Sequence, residues 1–279
     1  FEGGKGSRAS FLLRAAKTIE RKNEGLFVMI TAHTPESAAN ALAEGRMPDM
    51  ISFGGGCGFV ADIALPLEKY DCAAASAGGE TYAAPWCRGG YFLFSADGSF
   101  SGVTAENTVI SEGKGAFAAA AAALEGLRGD FAVLPSVQAY TALIAGKYKY
   151  MLGTQRDVQR FRVREFSVQA KPLERFCDLW QYISVCTEDA GKYNACLDFI
   201  VLLLSEEVQK GLASVGMLSP YFRIYGEEDG ALAALEAVSP ARAFPAFADE
   251  SAREAFRDLA FSVLNGDENG AKKLENYLV

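Results

Sequence analysis

Apolar residues recur first at helical spacing: Phe11, Leu12, Ala15 and Ile19, after Ser7, which can cap the helix they define. The period then changes. LFVMITA (26–32) is a β-rich apolar run and is predicted as a strand. Thr34-Pro35-Glu36 reads as N-cap, N1 proline and acidic first turn of a second helix, which Gly45 ends. DMISF (49–53) is another apolar strand, running into Gly54-Gly55-Gly56. Such β-α-β alternation predicts a parallel sheet covered by helices.

The pattern shifts at 80–100. TYAAPW and YFLFS are β-rich and flank Gly89-Gly90, which predicts an antiparallel hairpin where the chain leaves one lobe for another. AFAAAAAALEGL (116–127) is a helix by propensity, and its alanines predict close packing. QAYTALIAG (138–146) is a further helix ended by glycine. KYKYMLGTQRDVQRF (147–161) is predicted as a strand to Gly153 followed by a polar loop. KYNACLDFIVLLLSEEVQKGLASVG (192–216) is the strongest helical segment. Cys196, Phe199, Ile200, Leu203, Val208 and Leu212 share a face and Gly216 closes it. A proline-punctuated loop, SPARAFPAFADES (239–251), precedes a last helix using Ala252, Phe256, Leu259 and Val263. The sequence shows no internal repeat.

Composition narrows the class. The 279 residues are half hydrophobic, enough for a large core or two medium ones. A net charge of −8 with no Lys/Arg-dense stripe argues against a nucleic-acid partner. The longest apolar run, Phe199 to Leu204, is far too short to span a bilayer. Cysteines at 57, 72, 87, 177, 186 and 196 contain no C-x-x-C, so no zinc or redox spacing is present and they read as small buried hydrophobes, with one or two disulfides left open for an exported protein. The opening FEGGKGS reads as a loop following a strand that ended upstream.

Candidate chemistry is sparse. His33 is the one histidine, which rules out any mechanism needing two, and it sits at the carboxyl end of a predicted strand. Gly56-Cys57-Gly58-Phe59-Val60-Ala61 matches G-x-G-x-x-A after a strand, the basis of an alternative reading as an NAD-type oxidoreductase. Asp71 lies too near, and Glu80 in the wrong context, to be the ribose-binding acid that reading requires. Both glycine clusters also fit a simpler role, backbone amides approaching a ligand or anion closely. No carboxylate pair stands out as acid and base. Phe53, Trp86, Tyr91, Tyr221, Phe244 and Phe247 gather near strand ends and loops, while Gln155, Arg156 and Asp157 offer hydroxyl-binding groups, with a structural ion pair or cap at Arg156-Asp157 as the competing reading. Rings beside planar polar side chains suit a carbohydrate. Trp180 is expected to be helix-packed core.

The order of segments resembles the extracellular solute-binding proteins of ABC importers, in the oligosaccharide-binding branch. FEGGKGSRASFLLRAAKTIERKN resembles the loop and first helix after that family's opening strand, MPDMISFGGG its "PD" strand and ligand loop, and YAAPWCRGGYFLF its crossover hairpin. AYTALIAGKYKYMLGT resembles the second-lobe helix with Gly-Lys and Met, and CLDFIVLLLSEEVQKGLASVGMLSP the late helix ending in Gly and Pro. The first strand is absent or clipped, the first-lobe loop is Gly-rich, and the region around 100–135 is short and Ala-rich.

The resemblance implies a type II periplasmic-binding-protein fold: α/β, two lobes, each a mixed sheet flanked by helices, joined by a hinge. Lobe 1 would be 1–97 plus about 188–225, and lobe 2 about 98–187 plus about 226–279. It implies ligand contacts at Gly4, Lys5, His33, Phe53, Gly54, Gly55 and Gly56 on the first lobe. Trp86, Arg88 and Tyr91 would lie near the hinge, Gln155, Arg156 and Asp157 on the second lobe, with Tyr221 and Phe247 returning late. It implies capture of a sugar or other small polar ligand by hinge closure, with no catalysis, cofactor or metal. The partner would be a membrane permease or, in a sensory module of the same fold, a signalling protein. A monomer is expected, outside the cytoplasm and lipid-anchored through an upstream cysteine. Trp86→Ala is expected to abolish a sugar-induced thermal shift without disturbing the fold.

Overall fold

The computed structural model describes residues 6–113 and 117–279. Helix α1 (Arg8–Lys22) opens on a reciprocal cap: the Ser10 amide donates to Ser7 Oγ at 3.1 Å and the Ser7 amide to Ser10 Oγ at 2.8 Å. Helix α2 (Pro35–Ala43) repeats the device with Thr34 and Ser37 and carries proline at its first position. Then come β1 (Met50–Phe53), the short β2 (Ser76–Ala77) and β3 (Glu80–Thr81), β4 (Ala84–Arg88), β5 (Tyr91–Ser95) and β6 (Thr108–Glu112). The middle of the chain holds α3 (Ala118–Leu124), β7 (Ala132–Pro135), α4 (Ser136–Ile144), β8 (Tyr150–Thr154), α5 (Gln155–Val163), β9 (Gln169–Pro172) and β10 (Trp180–Val185). Helices α6 (Ala190–Leu203), α7 (Glu206–Gln209), α8 (Gly230–Ala237), α9 (Glu250–Leu264) and α10 (Glu268–Glu275) complete it. No described helix is long and apolar enough to cross a membrane.

The chain forms two compact units. Unit 1 comprises 1–88, 180–224 and 246–250; unit 2 comprises 89–179, 225–245 and 251–279. The crossings fall after Arg88 and Leu179, ahead of the 97/98 and 187/188 boundaries expected from sequence, because of strand pairing. β5 pairs with β8 and β9, whereas β10 pairs with β1 and β4. For the same reason β4 and β5 are not the hairpin that Gly89-Gly90 predicts. Each belongs to a different sheet. The glycines serve close packing instead: a Cβ at Gly89 would lie 2.6 Å from Gln155 Oε1, and one at Gly90 2.6 Å from Leu235.

In unit 1 the sheet runs β1-β10-β4, antiparallel throughout. α1 and α6 cover it, burying Phe11, Ala15, Ile19, Phe199, Ile200 and Leu203 against Trp86, Ile183 and Val185. Gln209 ties this core together, donating to the carbonyls of Trp86 (3.0 Å) and Leu203 (2.9 Å) while accepting from the Ser219 hydroxyl (2.6 Å). LFVMITA does not become a strand. Leu26, Val28 and Ile30 pack on the core and Phe27 and Met29 point outward, the alternation of a strand, but no ladder forms. A strand exists only through a partner for its backbone. The predicted long helix 192–216 breaks at Leu204-Ser205 into α6, α7 and a 3-10 turn, and Gly216 ends it in the left-handed region, φ 69°.

The parallel β-α-β architecture expected near the N-terminus is realised in unit 2. Its sheet runs β7-β6-β8-β5-β9, with β7, β6 and β8 parallel and β5 antiparallel to both neighbours. Chain order β6-α3-β7-α4-β8 supplies the crossovers. All six alanines of α3 are buried, so the helix lies close on β6 and β8. Phe256 of α9 centres an aromatic cluster with Phe244 (4.8 Å), Phe117 (5.1 Å) and Phe176 (5.6 Å).

Candidate functional site

The sequence-nominated residues divide by burial. Gly4 and Lys5 lie outside the described residues. Trp86 has no exposed surface: its ring stacks on Phe11 at 5.5 Å and its Nε1 donates to Ser52 Oγ at 3.0 Å. That corrects its place from ligand platform to core of unit 1. Tyr91 is equally enclosed in unit 2. Its hydroxyl donates to Asp178 and accepts the Phe117 amide at 2.6 Å. Asp157 and Gln155 are also corrected, because residues 155–163 form α5 rather than a loop. The Thr154 amide donates to Asp157 Oδ2 (2.9 Å) and Arg160 pairs with Oδ1 (2.7 Å), so Asp157 starts the helix. Burial pushes its carboxyl upward, against the Thr154 amide and Arg160. Buried Gln155 accepts the Gly90 amide at 3.2 Å. Arg156, half-buried, is on the first turn beside them.

Several of the nominated residues do meet in unit 1, around the end of β1. Phe53 is buried and packs on half-buried Phe247 at 5.6 Å. The register of β1 on β10 then sets Gly54 against β10: an added Cβ would fall 2.5 Å from Gln181 Nε2 and 3.6 Å from the Trp180 carbonyl. Gly55 follows, and Gly56 turns the chain at φ 89°. Buried Arg88 sets its guanidinium 6.0 Å from the ring centre of Trp180. Trp180 is on β10 and half-buried, not helix-packed core as expected. It is the aromatic residue here that sequence reasoning passed over; the ERFCDLWQY context carried no strand signal, since β10 is defined only by its distant partners. Tyr221 is 47% exposed and its amide donates to Ser219 Oγ (3.1 Å). His33 is exposed ahead of α2, its Nδ1 3.3 Å from Ser37 Oγ.

The dinucleotide alternative fails on geometry. Residues Gly58–Asp62 form a five-residue 3-10 turn, and β1 before them pairs antiparallel with β10. A dinucleotide fingerprint needs a parallel strand leading into an α-helix whose N-terminus faces the pyrophosphate. Among the described residues no group of three His, Cys, Asp or Glu could hold a metal ion.

Unit 2 has a shallow, open pocket of about 470 Å³ lined by Glu112, Gly113, Pro135, Ser136 and Arg257. Parallel pairing of β6 with β7 sets Glu112 beside Pro135, and α4 begins at Ser136. None of these residues was nominated from sequence: Glu112 reads as one acid in a polar stretch until α9 returns Arg257 to it. Among the described residues neither carboxylate oxygen of Glu112 has a well-formed hydrogen bond, and Arg257 Nε is 3.8 Å away. Burial raises the Glu112 carboxyl to about 7, opposed by Arg257 and the Ala119 amide and reinforced by Asp178. Asp178 is raised to about 6, first by burial, with Tyr91 and Arg253 pulling it down.

No protein-family model matches the chain, and no curated relative does. Solved structures do. The maltose/maltodextrin-binding MalE domain of Bdellovibrio bacteriovorus, bound to maltotriose, aligns over 96% of this chain and 94% of its own at 15% identity, TM-score 0.60. The maltose-maltodextrin binding protein of Alicyclobacillus acidocaldarius aligns over 98% and 97% at 12% identity, TM-score 0.62. The GacH receptor of Streptomyces glaucescens, solved unliganded and with acarbose, aligns over 98% and 96% at 14% identity, TM-score 0.59. At these identities the likeness establishes architecture: the chain has the two-lobed α/β fold of the periplasmic binding proteins.

Proposed function

We propose that the protein is the substrate-capture component of an ABC importer, binding an oligosaccharide outside the cytoplasm and delivering it to a membrane permease. The observation that carries this is the extent of the structural likeness. It runs over nearly the whole of both chains for proteins whose described ligands are maltotriose and acarbose. Local chemistry supports it. The Trp180–Arg88 pair, the Gly54–Gly56 backbone and Tyr221 on unit 1 combine an aromatic face with amide and guanidinium donors. Glu112, Ser136 and Arg257 on unit 2 offer acceptors and donors for hydroxyls. A protein of this kind grips and releases without turnover, as a monomer, tethered to the cell surface by a lipid on an upstream cysteine.

The test is a thermal-shift panel of maltotriose, chitin and xylan oligosaccharides, oxyanions and NAD. A ligand at about a hundred times its Kd adds about 2.7 kcal/mol to stability. An oligosaccharide is expected to raise the melting temperature by several degrees while NAD leaves it unchanged. No response to any oligosaccharide, or a response to NAD alone, overturns the reading.

A further inference from the structure

The pocket on unit 2 carries a more specific chemistry. Glu112 is a shielded carboxylate for which the described residues supply no well-formed hydrogen bond, the Ala119 amide being its one nearby backbone donor, an arrangement that is costly unless something else completes it. Arg257 stands beside it at 3.8 Å, and its guanidinium also lies 5.4 Å from the Phe117 ring centre. Behind them Asp178 Oδ2 is buried with no hydrogen bond among the described residues, Arg253 Nη2 lying 4.0 Å from it and the Tyr91 hydroxyl on its other oxygen. Among the described residues the charged and titratable groups near Glu112 are Arg257 from α9, Asp178 ahead of β10, itself paired with Arg253, and Tyr91 from β5. The lining residues of β7 and α4, Pro135 and Ser136, carry no charge.

A cationic ligand would be opposed by Arg257 and an anionic one by Glu112. A pair of adjacent hydroxyls satisfies both, one donating to the carboxylate and the other accepting from the guanidinium. Donation of this kind favours the ionised form of Glu112, the stronger acceptor. We propose that Glu112 and Arg257 form a subsite for a neutral vicinal diol, two adjacent sugar hydroxyls, and that filling it drives one proton from Glu112 into solvent. The balance is simple: the carboxyl O–H bond breaks, the buffer takes the proton, and the ligand hydroxyl replaces it as donor. This deepens the oligosaccharide reading and names part of its site.

Carbon-13 NMR of the Glu112 carboxyl tests it, at about pH 6.5, below the Glu112 midpoint near 7. The probes are maltotriose and cis-cyclohexane-1,2-diol, with cyclohexanol as the single-hydroxyl control. Both diol-bearing probes are expected to move the signal toward the ionised form, and cyclohexanol to leave it. Calorimetry with maltotriose in buffers of different ionisation enthalpy should show proton release that Glu112→Gln removes, with its melting temperature confirming that the variant folds. A response to the cyclic diol but not to maltotriose would uphold the subsite and count against oligosaccharide transport. Maltotriose binding that leaves the Glu112 signal unmoved, or failure of both probes to move it, overturns the subsite.

Discussion

Trp86 has no exposed surface and makes its contacts with Phe11 and Ser52, so truncating it to alanine empties a core rather than altering a surface. Trp86→Ala should cost about 3–5 kcal/mol in denaturant unfolding, the reverse of the fold-neutral outcome expected when the residue is judged by its position after Pro85. Trp180→Ala is the substitution expected to abolish the oligosaccharide-induced thermal shift, while the ligand-free variant still unfolds cooperatively, at a lowered melting temperature because Trp180 packs on the unit 1 core. Asp157→Ala removes a helix-starting acceptor and strands Arg160, and should cost on the order of 2 kcal/mol. If Asp157→Ala instead eliminates ligand response at full stability, Asp157 belongs to the site. These assignments were hard to read from sequence for one reason. A buried and a ligand-facing tryptophan are the same letter, and only packing separates them.

Elements were legible where the signal is local. The caps at Ser7 and Thr34, Pro35 at a helix start and the alanine run all lie within a few residues of what they specify. Pairing was not legible, because β1-β10-β4 joins strands far apart in the chain. LFVMITA has strand composition and alternation yet no ladder. Hydrogen exchange should therefore be fast at amides 29–33 and slow along β8, which is bonded on both sides. Equal protection in the two segments would show that 26–32 has found a partner. Gly89-Gly90 looked like a turn because glycine marks turns and close approaches alike. Gly89→Ala would press its methyl on Gln155 and is expected to destabilise by about 1–3 kcal/mol, measured by thermal unfolding.

Across the whole molecule, the buried carboxyls make stability depend on pH. Glu112 and Asp178 are raised to about 7 and about 6, above their ordinary values of 4.5 and 3.8. Between about pH 4 and 7 the folded state thus holds more protons than the unfolded chain, and stability falls as pH rises through that window before levelling. The protein should melt at a higher temperature at pH 5 than at pH 8, and Glu112→Gln combined with Asp178→Asn should flatten the difference. A melting temperature that climbs from pH 5 to 8 would show that other groups dominate, Asp97 among them, whose carboxyl is held down to about 2 first by Lys149. By itself the sequence determined the α/β class, the capped starts of α1 and α2, the acidic balance and the order of segments that resembles the sugar-binding receptors, since each rests on neighbours in the chain or on composition. Only the tertiary structure decided which strands pair, where one unit hands over to the other, which tryptophan is enclosed, and that Glu112 meets Arg257. Those depend on residues brought together from distant positions, and no local pattern records such encounters.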